Sequence, residues 1–244
     1  MSLSFHGQPM SVTEANDRRM SCREFIPDEA PSHAEIHKLL ADASRAPSGA
    51  NMQPWRCYVV SGAARESLIG AVGARMAEGE LPSDSAEFAV YPTRDVLNRP
   101  ENHAMRDRRR KLGFGMYELM DVKKGDRGAS FNALRRNYEF FGAPVGIIVT
   151  VDKAMDKNAW GHAGCFLATL CLLAEACGMA TCLQEAWSQY APAVNSALSL
   201  DTIREAVWCT QTSRRRSTRC ARSAIRRRAS RRSSRPRCDN NIRI

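Results

Sequence analysis

Residues 45–60 read RAPSGANMQPWRCYVV, and the fold turns on where this stretch changes character. Its first part carries Pro47, Gly49 and Pro54 with the amides Asn51 and Gln53, and has no charge after Arg45 until Arg56. Prolines and a glycine in close succession stop a helix and open a bend. Its second part, Trp55 to Val60, is aromatic and β-branched, closes on Ser61 and Gly62, and reads as a strand. Upstream, Ser32 followed by Glu35 forms a capping-box pattern, with Ile36, Leu39, Leu40 and Ala43 at helical spacing. A helix is therefore expected from about Pro31 to Arg45, ending at Pro47. The junction is helix, amide-rich bend, strand.

Working outward, AARESLIGAVGARMAEG resumes helical spacing after the strand. Val145 to Val151, VGIIVTV, follows the turn FFGAP and is almost unbroken apolar, which suits a central strand buried on both faces. Gly161 to Cys177 is apolar on every side and reads as a buried helix, with Gly178 placed to end it. MATCLQ, from Met179, is a further short strand. Between Leu81 and Asn132 the chain is rich in charge, with one expected helix around 106–120; it reads as a surface excursion of the kind that serves as a lid or partner-binding segment. The order helix, strand, helix, excursion, strand, helix, strand predicts an α+β or α/β domain without internal repeats. The GxGxxG, GxxxxGK and GxSxG signatures are absent, which removes the common dinucleotide, phosphate-loop and hydrolase readings.

With 244 residues, 43% of them hydrophobic, the chain can build a proper core. The opening MSLSFHGQPM has no apolar signal region, and no run reaches the roughly 18 apolar residues of a membrane span, so a soluble cytoplasmic protein with no membrane partner is expected. Nine cysteines include no CxxC pair. Reduced, packed thiols without a metal are the expectation.

The net charge of +10 is local. Of the 36 basic residues, thirteen lie from Thr210 onward, as does one of the 26 acidic residues, which leaves 23 basic against 25 acidic in the body. The 210–244 tail has no aromatics and few large aliphatics, so it cannot form a core, and residues 1–209 are expected to be the folded domain. An arginine-rich tail of this kind binds nucleic acid only non-specifically and with strong salt dependence.

Two segments carry chemistry. RRMSCREF, Arg18 to Phe25, sets Arg19, Ser21 and Arg23 at alternate positions, so an extended backbone puts two guanidinium forks and a hydroxyl on one side, as a phosphate dianion requires. The alternative is a solvated basic turn pairing with Asp17 and Glu24. In the bend, Asn51 and Gln53 offer donors and acceptors that match a flat heterocycle edged by C=O and N–H groups, and Ser48 and Gly49 allow close backbone approach. The alternative there is a polar turn that merely stops a helix.

Taken together, RRMSCREF, a short helix, APSGANMQPWRCYVV and the distant GMATCLQEAW resemble the nitroreductase family of FMN-dependent oxidoreductases, from about Thr13 to Trp208. The resemblance implies an α+β sandwich with a mostly antiparallel central sheet flanked by helices. It implies a homodimer with FMN at the subunit interface, the 161–177 helix suiting the dimer core. By position, Arg19, Ser21 and Arg23 would hold the FMN phosphate; Ser48, Gly49, Asn51 and Gln53 would lie along the ring system; Glu185 and Ala186 would present backbone N–H near its reactive edge; Asn137, in RRNYEFFGAPVGIIVTVD, is a further cofactor candidate. The implied reaction is ping-pong, NAD(P)H reducing FMN and reduced FMN passing electrons to a small nitroaromatic, quinone or related acceptor. No catalytic acid, base or nucleophile is implied.

The resemblance breaks in the tail. Where the family continues through a glycine-tyrosine turn into a segment resembling APVNxLRSER, this chain has TQTSRRRSTRCARSAIRRRASRRSSRPR. Codons can be chosen for Arg215 to Arg226 so that reading from one base earlier gives APVNALRSERDP, which makes the tail the expected product of a frameshift near the codon for Cys209. Two functional classes stay open: an FMN-dependent enzyme, or a non-enzymatic protein with a decayed flavin site and a basic tail.

Overall fold

The structure is a computed structural model, and it describes residues 10–78, 94–200 and 205–213. Along the chain lie α1 (Val12–Arg18), α2 (His33–Ala43), β1 (Trp55–Ser61), α3 (Gly62–Ala77), α4 (Arg94–Asn98), α5 (His103–Leu119), α6 (Arg127–Arg135), β2 (Val145–Asp152), α7 (Asp156–Ala176), β3 (Ala180–Gln184), α8 (Ala191–Ala197) and β4 (Glu205–Ser213). The strands form one sheet in the order β1-β2-β4-β3, every neighbouring pair antiparallel. This is the α+β sandwich expected from the sequence.

Local chemistry explains the elements. Ser32 accepts from the Glu35 N–H at 3.3 Å while Glu35 accepts from the Ser32 N–H at 2.8 Å, so the capping box starts α2, which buries Ile36, Leu39 and Ala43. Residues Val145 to Val151 of β2 are all buried, as a strand with neighbours on both sides and helices over both faces must be. Gly178 takes φ 76 just past α7, and the Met179 N–H returns to the Ala174 carbonyl at 2.8 Å, which closes the helix.

Alternate residues of the sheet feed two cores. On one face Trp55, Val145, Ile147 and Val149 meet Ile36 and Leu39 of α2 and Phe166, Leu167 and Leu170 of α7, with Trp55 stacked on Phe166 at 4.9 Å between ring centroids. On the other face Val60, Ile148 and Cys182 meet Leu68 and Val72 of α3, Val194 of α8, and the aromatic cluster Tyr138, Phe140, Trp187 and Tyr190. Phe140 lies so close over Gly146 that the glycine has no room for a Cβ.

Three expectations are corrected. The domain end at 209 falls inside β4: Thr210 pairs with Ile147 of β2 and Leu183 of β3, and the ladder continues to Ser213. β4 is the third strand of the sheet, and its β-branched threonines suit an interior ladder even though they look polar in the sequence. Second, α7 is apolar all round but only partly buried, with Trp160, Gly161, Gly164, Cys165 and Ala168 exposed in the chain. Its stretch Asn158–Ala176 is long and apolar enough to cross a membrane, yet Ala163, Phe166, Leu170 and Ala174 pack in the core. Third, the 81–132 excursion has more than one helix: α5 spans the expected 106–120 region, and α4 and the start of α6 join it. No residue of α5 is buried, and Leu112, Phe114 and Tyr117 are exposed. Residues 81–93 of the excursion and 214–244 of the tail lie outside the described residues.

Candidate functional site

The arginine segment is extended along the free edge of β3. After α1 ends, Ser21 forms a parallel bridge with Thr181, the Cys22 N–H donates to the Thr181 carbonyl at 2.9 Å, and the Phe25 N–H donates to the Phe141 carbonyl at 3.1 Å. Cys22 and Phe25 enter the core, while Arg19, Ser21 and Arg23 remain half-buried. Arg23 Nη1 donates to the Ser21 carbonyl at 3.4 Å. Among the described residues, neither Arg19 nor Arg23 pairs with a carboxylate, whereas the neighbouring Arg18 pairs with Glu14 and with the buried Glu175. The pairing expected of a mere basic turn, with Asp17 and Glu24, is not made by these two guanidiniums. Two uncommitted cations flanking a hydroxyl suit a phosphate dianion.

Farther along β3, an amide chain ties Asn137 to the turn that carries Glu185 and Ala186. Gln184 donates from Nε2 to Asn137 Oδ1 at 2.8 Å and accepts from Trp187 Nε1 at 3.2 Å. Asn137 also donates to the Leu134 carbonyl at 2.8 Å, so one N–H of its amide remains for a ligand. Tyr138 donates to Gln189 Oε1 at 2.8 Å. Ala186–Tyr190 is a short 3-10 turn, anchored where Ser188 donates from Oγ to the Glu185 carbonyl at 2.6 Å. Partial burial of the Glu185 carboxyl pushes its pKa up. The backbone behind Asn137 is tightly wound, with left-handed Phe140 (φ 54), Phe141 (φ 51) and Gly142 (φ 80). Arg65 fastens it, donating to the carbonyls of Ala143 at 2.7 Å and Glu139 at 3.1 Å, with its guanidinium over the Phe140 ring.

The bend holds itself by local bonds. Ser48 Oγ accepts from the Gln53 N–H at 3.0 Å, and Gln53 Nε2 donates to Asn51 Oδ1 at 2.9 Å. Gly49 donates its N–H to His162 Nε2, on α7, at 3.1 Å. The glycine therefore serves a close approach, but to a histidine of the same chain. Asn51 and Gln53 are exposed, and their mutual bond leaves the Asn51 NH2, the Gln53 oxygen and one Gln53 N–H available.

Within one chain these candidates form two groups. Arg19, Ser21, Arg23, Asn137, Glu185 and Ala186 gather around β3, while Ser48, Gly49, Asn51 and Gln53 lead into β1, the opposite edge of the sheet. Arg18 touches Glu175 and Gly49 touches His162, and thirteen residues of α7 separate those contacts, about 20 Å of helix. The sequence did not foresee Gln184 as the link to Asn137, although an amide closing an apolar strand was a visible signal. His162 carried none, being a lone histidine 113 residues from its partner. Among the described residues, no cluster of His, Cys, Asp and Glu could hold a metal ion.

The model of the Nitroreductase family matches residues 17–212. A nitrobenzene nitroreductase from Ectopseudomonas oleovorans is 33% identical over 186 residues, 75% of this chain and 77% of that protein. The crystal structure of the FMN and NADPH-dependent nitroreductase NfnB from Sphigopyxis sp. strain HMH superposes with a TM-score of 0.75 at 29% identity, covering 84% of this chain and 88% of that one. That of the FMN-dependent NfnB from Mycobacterium smegmatis, in complex with NADPH, gives 0.75 at 25% identity over 87% and 92%. With a family match over most of its length and a relative 33% identical across three quarters of both chains, the chain belongs to the nitroreductase family.

Proposed function

We propose that the protein is an FMN-dependent NAD(P)H oxidoreductase of the cytoplasm that reduces nitroaromatic, quinone or related small acceptors by a ping-pong mechanism. The observation that carries this reading is the pair of guanidiniums, Arg19 and Arg23, held on either side of Ser21 with no carboxylate partner among the described residues, in a chain of this family. The donor set fits FMN: cations and a hydroxyl for the phosphate, and exposed amides for the heterocycle. When bound, FMN would supply the redox chemistry that links nicotinamide oxidation to reduction of the acceptor. Arg19, Ser21 and Arg23 bind its phosphate. Asn51 and Gln53 use their remaining donors and acceptor to orient the ring edge, and the Glu185–Ala186 turn contributes backbone N–H. The relative that acts on nitrobenzene supports a nitroaromatic acceptor.

The working unit in this reading is a homodimer. The two groups of binding residues sit at opposite edges of one chain's sheet, so one flavin reaches both only if a second chain supplies the bend. The exposed Gly161, Gly164, Cys165 and Ala168 of α7 offer a small-residue face on which two copies approach closely. Mixing Arg23→Ala chains with Asn51→Leu/Gln53→Leu chains tests this. A shared site regains one intact flavin site per mixed dimer, whereas a site built within one chain regains none.

A further inference from the structure

The bend strains its own backbone. Ala50 (φ 48), Asn51 (φ 56) and Gln53 (φ 46) are all left-handed, a region that asparagine tolerates but that alanine and glutamine rarely occupy. Such backbone persists only where its surroundings fix it. The bonds from Asn51 N–H to the Ser48 carbonyl, from Met52 N–H to the Gly49 carbonyl and between Gln53 and Ser48 all close on the bend itself. Among the described residues, the hydrogen bond that leaves the bend runs from Gly49 N–H to His162 Nε2.

The histidine is specialised for that contact. A Cβ at Gly49 would stand 3.1 Å from both Cε1 and Nε2, so the imidazole lies directly against the bend's backbone. Because Nε2 accepts a hydrogen bond, it carries no proton, and the ring is the neutral Nδ1–H form. His162 Nδ1 is buried with no hydrogen-bond partner among the described residues. A buried donor left unmatched is unfavourable, and an apolar side chain on this apolar helix would avoid it. The ring accepts that loss while presenting Nε2 to Gly49.

We propose that His162 is a positioning residue that clamps the 48–53 bend in its left-handed form and so presets Asn51 and Gln53 for a bound ligand. That the ligand is the edge of FMN rests on the proposed function; the clamp itself does not.

Amide hydrogen exchange on the flavin-free protein and FMN titration of the same preparations test the two parts separately. In His162→Leu, exchange at Gly49 to Gln53 should quicken about five-fold, the worth of one ordinary hydrogen bond, and FMN binding should weaken by a similar factor. His162→Gln, which returns an acceptor near Nε2, should recover most of both. Gly49→Ala lies on an exposed bend and displaces the ring from the other side, so it should reproduce the leucine result if His162→Leu does not fold. Unchanged exchange in His162→Leu and Gly49→Ala overturns the clamp. Faster exchange with unaltered FMN affinity and spectrum, in a parent that binds FMN, overturns the positioning role. Faster exchange in a parent that binds no FMN keeps the clamp and rejects the flavin reading.

Discussion

Ser21 bridges Thr181 in parallel, and this pairing turns a sequence pattern into a site: it makes the Arg19–Arg23 segment an extra extended strand on β3, in a chain whose named strands pair antiparallel. Alternation along that strand sends Cys22 inward and leaves Arg19, Ser21 and Arg23 half-buried at the edge.

Arg23→Ala should therefore weaken FMN binding by about 1.5 to 3 kcal/mol, the scale of a charge-assisted hydrogen bond, with little change in melting temperature. Fluorescence titration of free FMN reads it. Unchanged affinity would remove Arg23 from the phosphate site.

Gln184→Leu should cost stability as well as cofactor. The substitution leaves the buried Trp187 N–H and the Asn137 oxygen without their partner, a loss of about 1 to 3 kcal/mol for a buried polar group. Urea unfolding should show a lower midpoint at an unchanged slope. If the variant is as stable as the parent, the amide chain does not hold the turn.

Cys57 gives a pH signature. Burial raises its pKa from 9.0 to about 12, so an unfolded chain loses this proton from about pH 9 while the folded one keeps it. The folded state then binds more protons than the unfolded, and stability falls as pH rises through that window. Cys57→Ala should lessen the alkaline loss without affecting stability at neutral pH by the same mechanism. At pH 8 iodoacetamide should spare Cys57 in the folded protein and label it once the chain is unfolded in urea. Rapid labelling of Cys57 in the folded protein would contradict its burial.

For the tail, β4 runs through Cys209 to Ser213, so a cut that spares the sheet falls after Ser213. Trimming after Ser213 should leave the melting temperature in place, because residues 214–244 are too rich in arginine and too poor in large apolar groups to offset the entropy of ordering. Trimming after Cys209 should lower it, since Thr210 to Thr212 pair on both sides. Restoring the frame should tighten FMN binding. An unbroken frame in the source gene would mean that the arginines were selected.

Elements with a strong local signal were legible in the sequence: the Ser32–Glu35 capping box set α2, the apolar run set β2, and Gly178 set the end of α7. β4 was not, because Thr210 to Ser213 continue into the arginine-rich tail and their ladder depends on two strands distant in sequence. The site divided the same way. Alternate spacing revealed Arg19, Ser21 and Arg23, but the contacts of Gly49 with His162 and of Asn137 with Gln184 span 113 and 47 residues and arise only from packing α7 and β3 into place.

The central claim is that this chain carries electrons from a nicotinamide to a nitroaromatic through FMN. Anaerobic spectroscopy of the FMN-reconstituted protein tests it in two halves. NADH or NADPH alone should bleach the flavin's visible absorption, and a nitroaromatic added after the nicotinamide is removed should restore it. A protein that takes up no FMN, or whose bound flavin keeps its colour when either nicotinamide is added, would contradict the account.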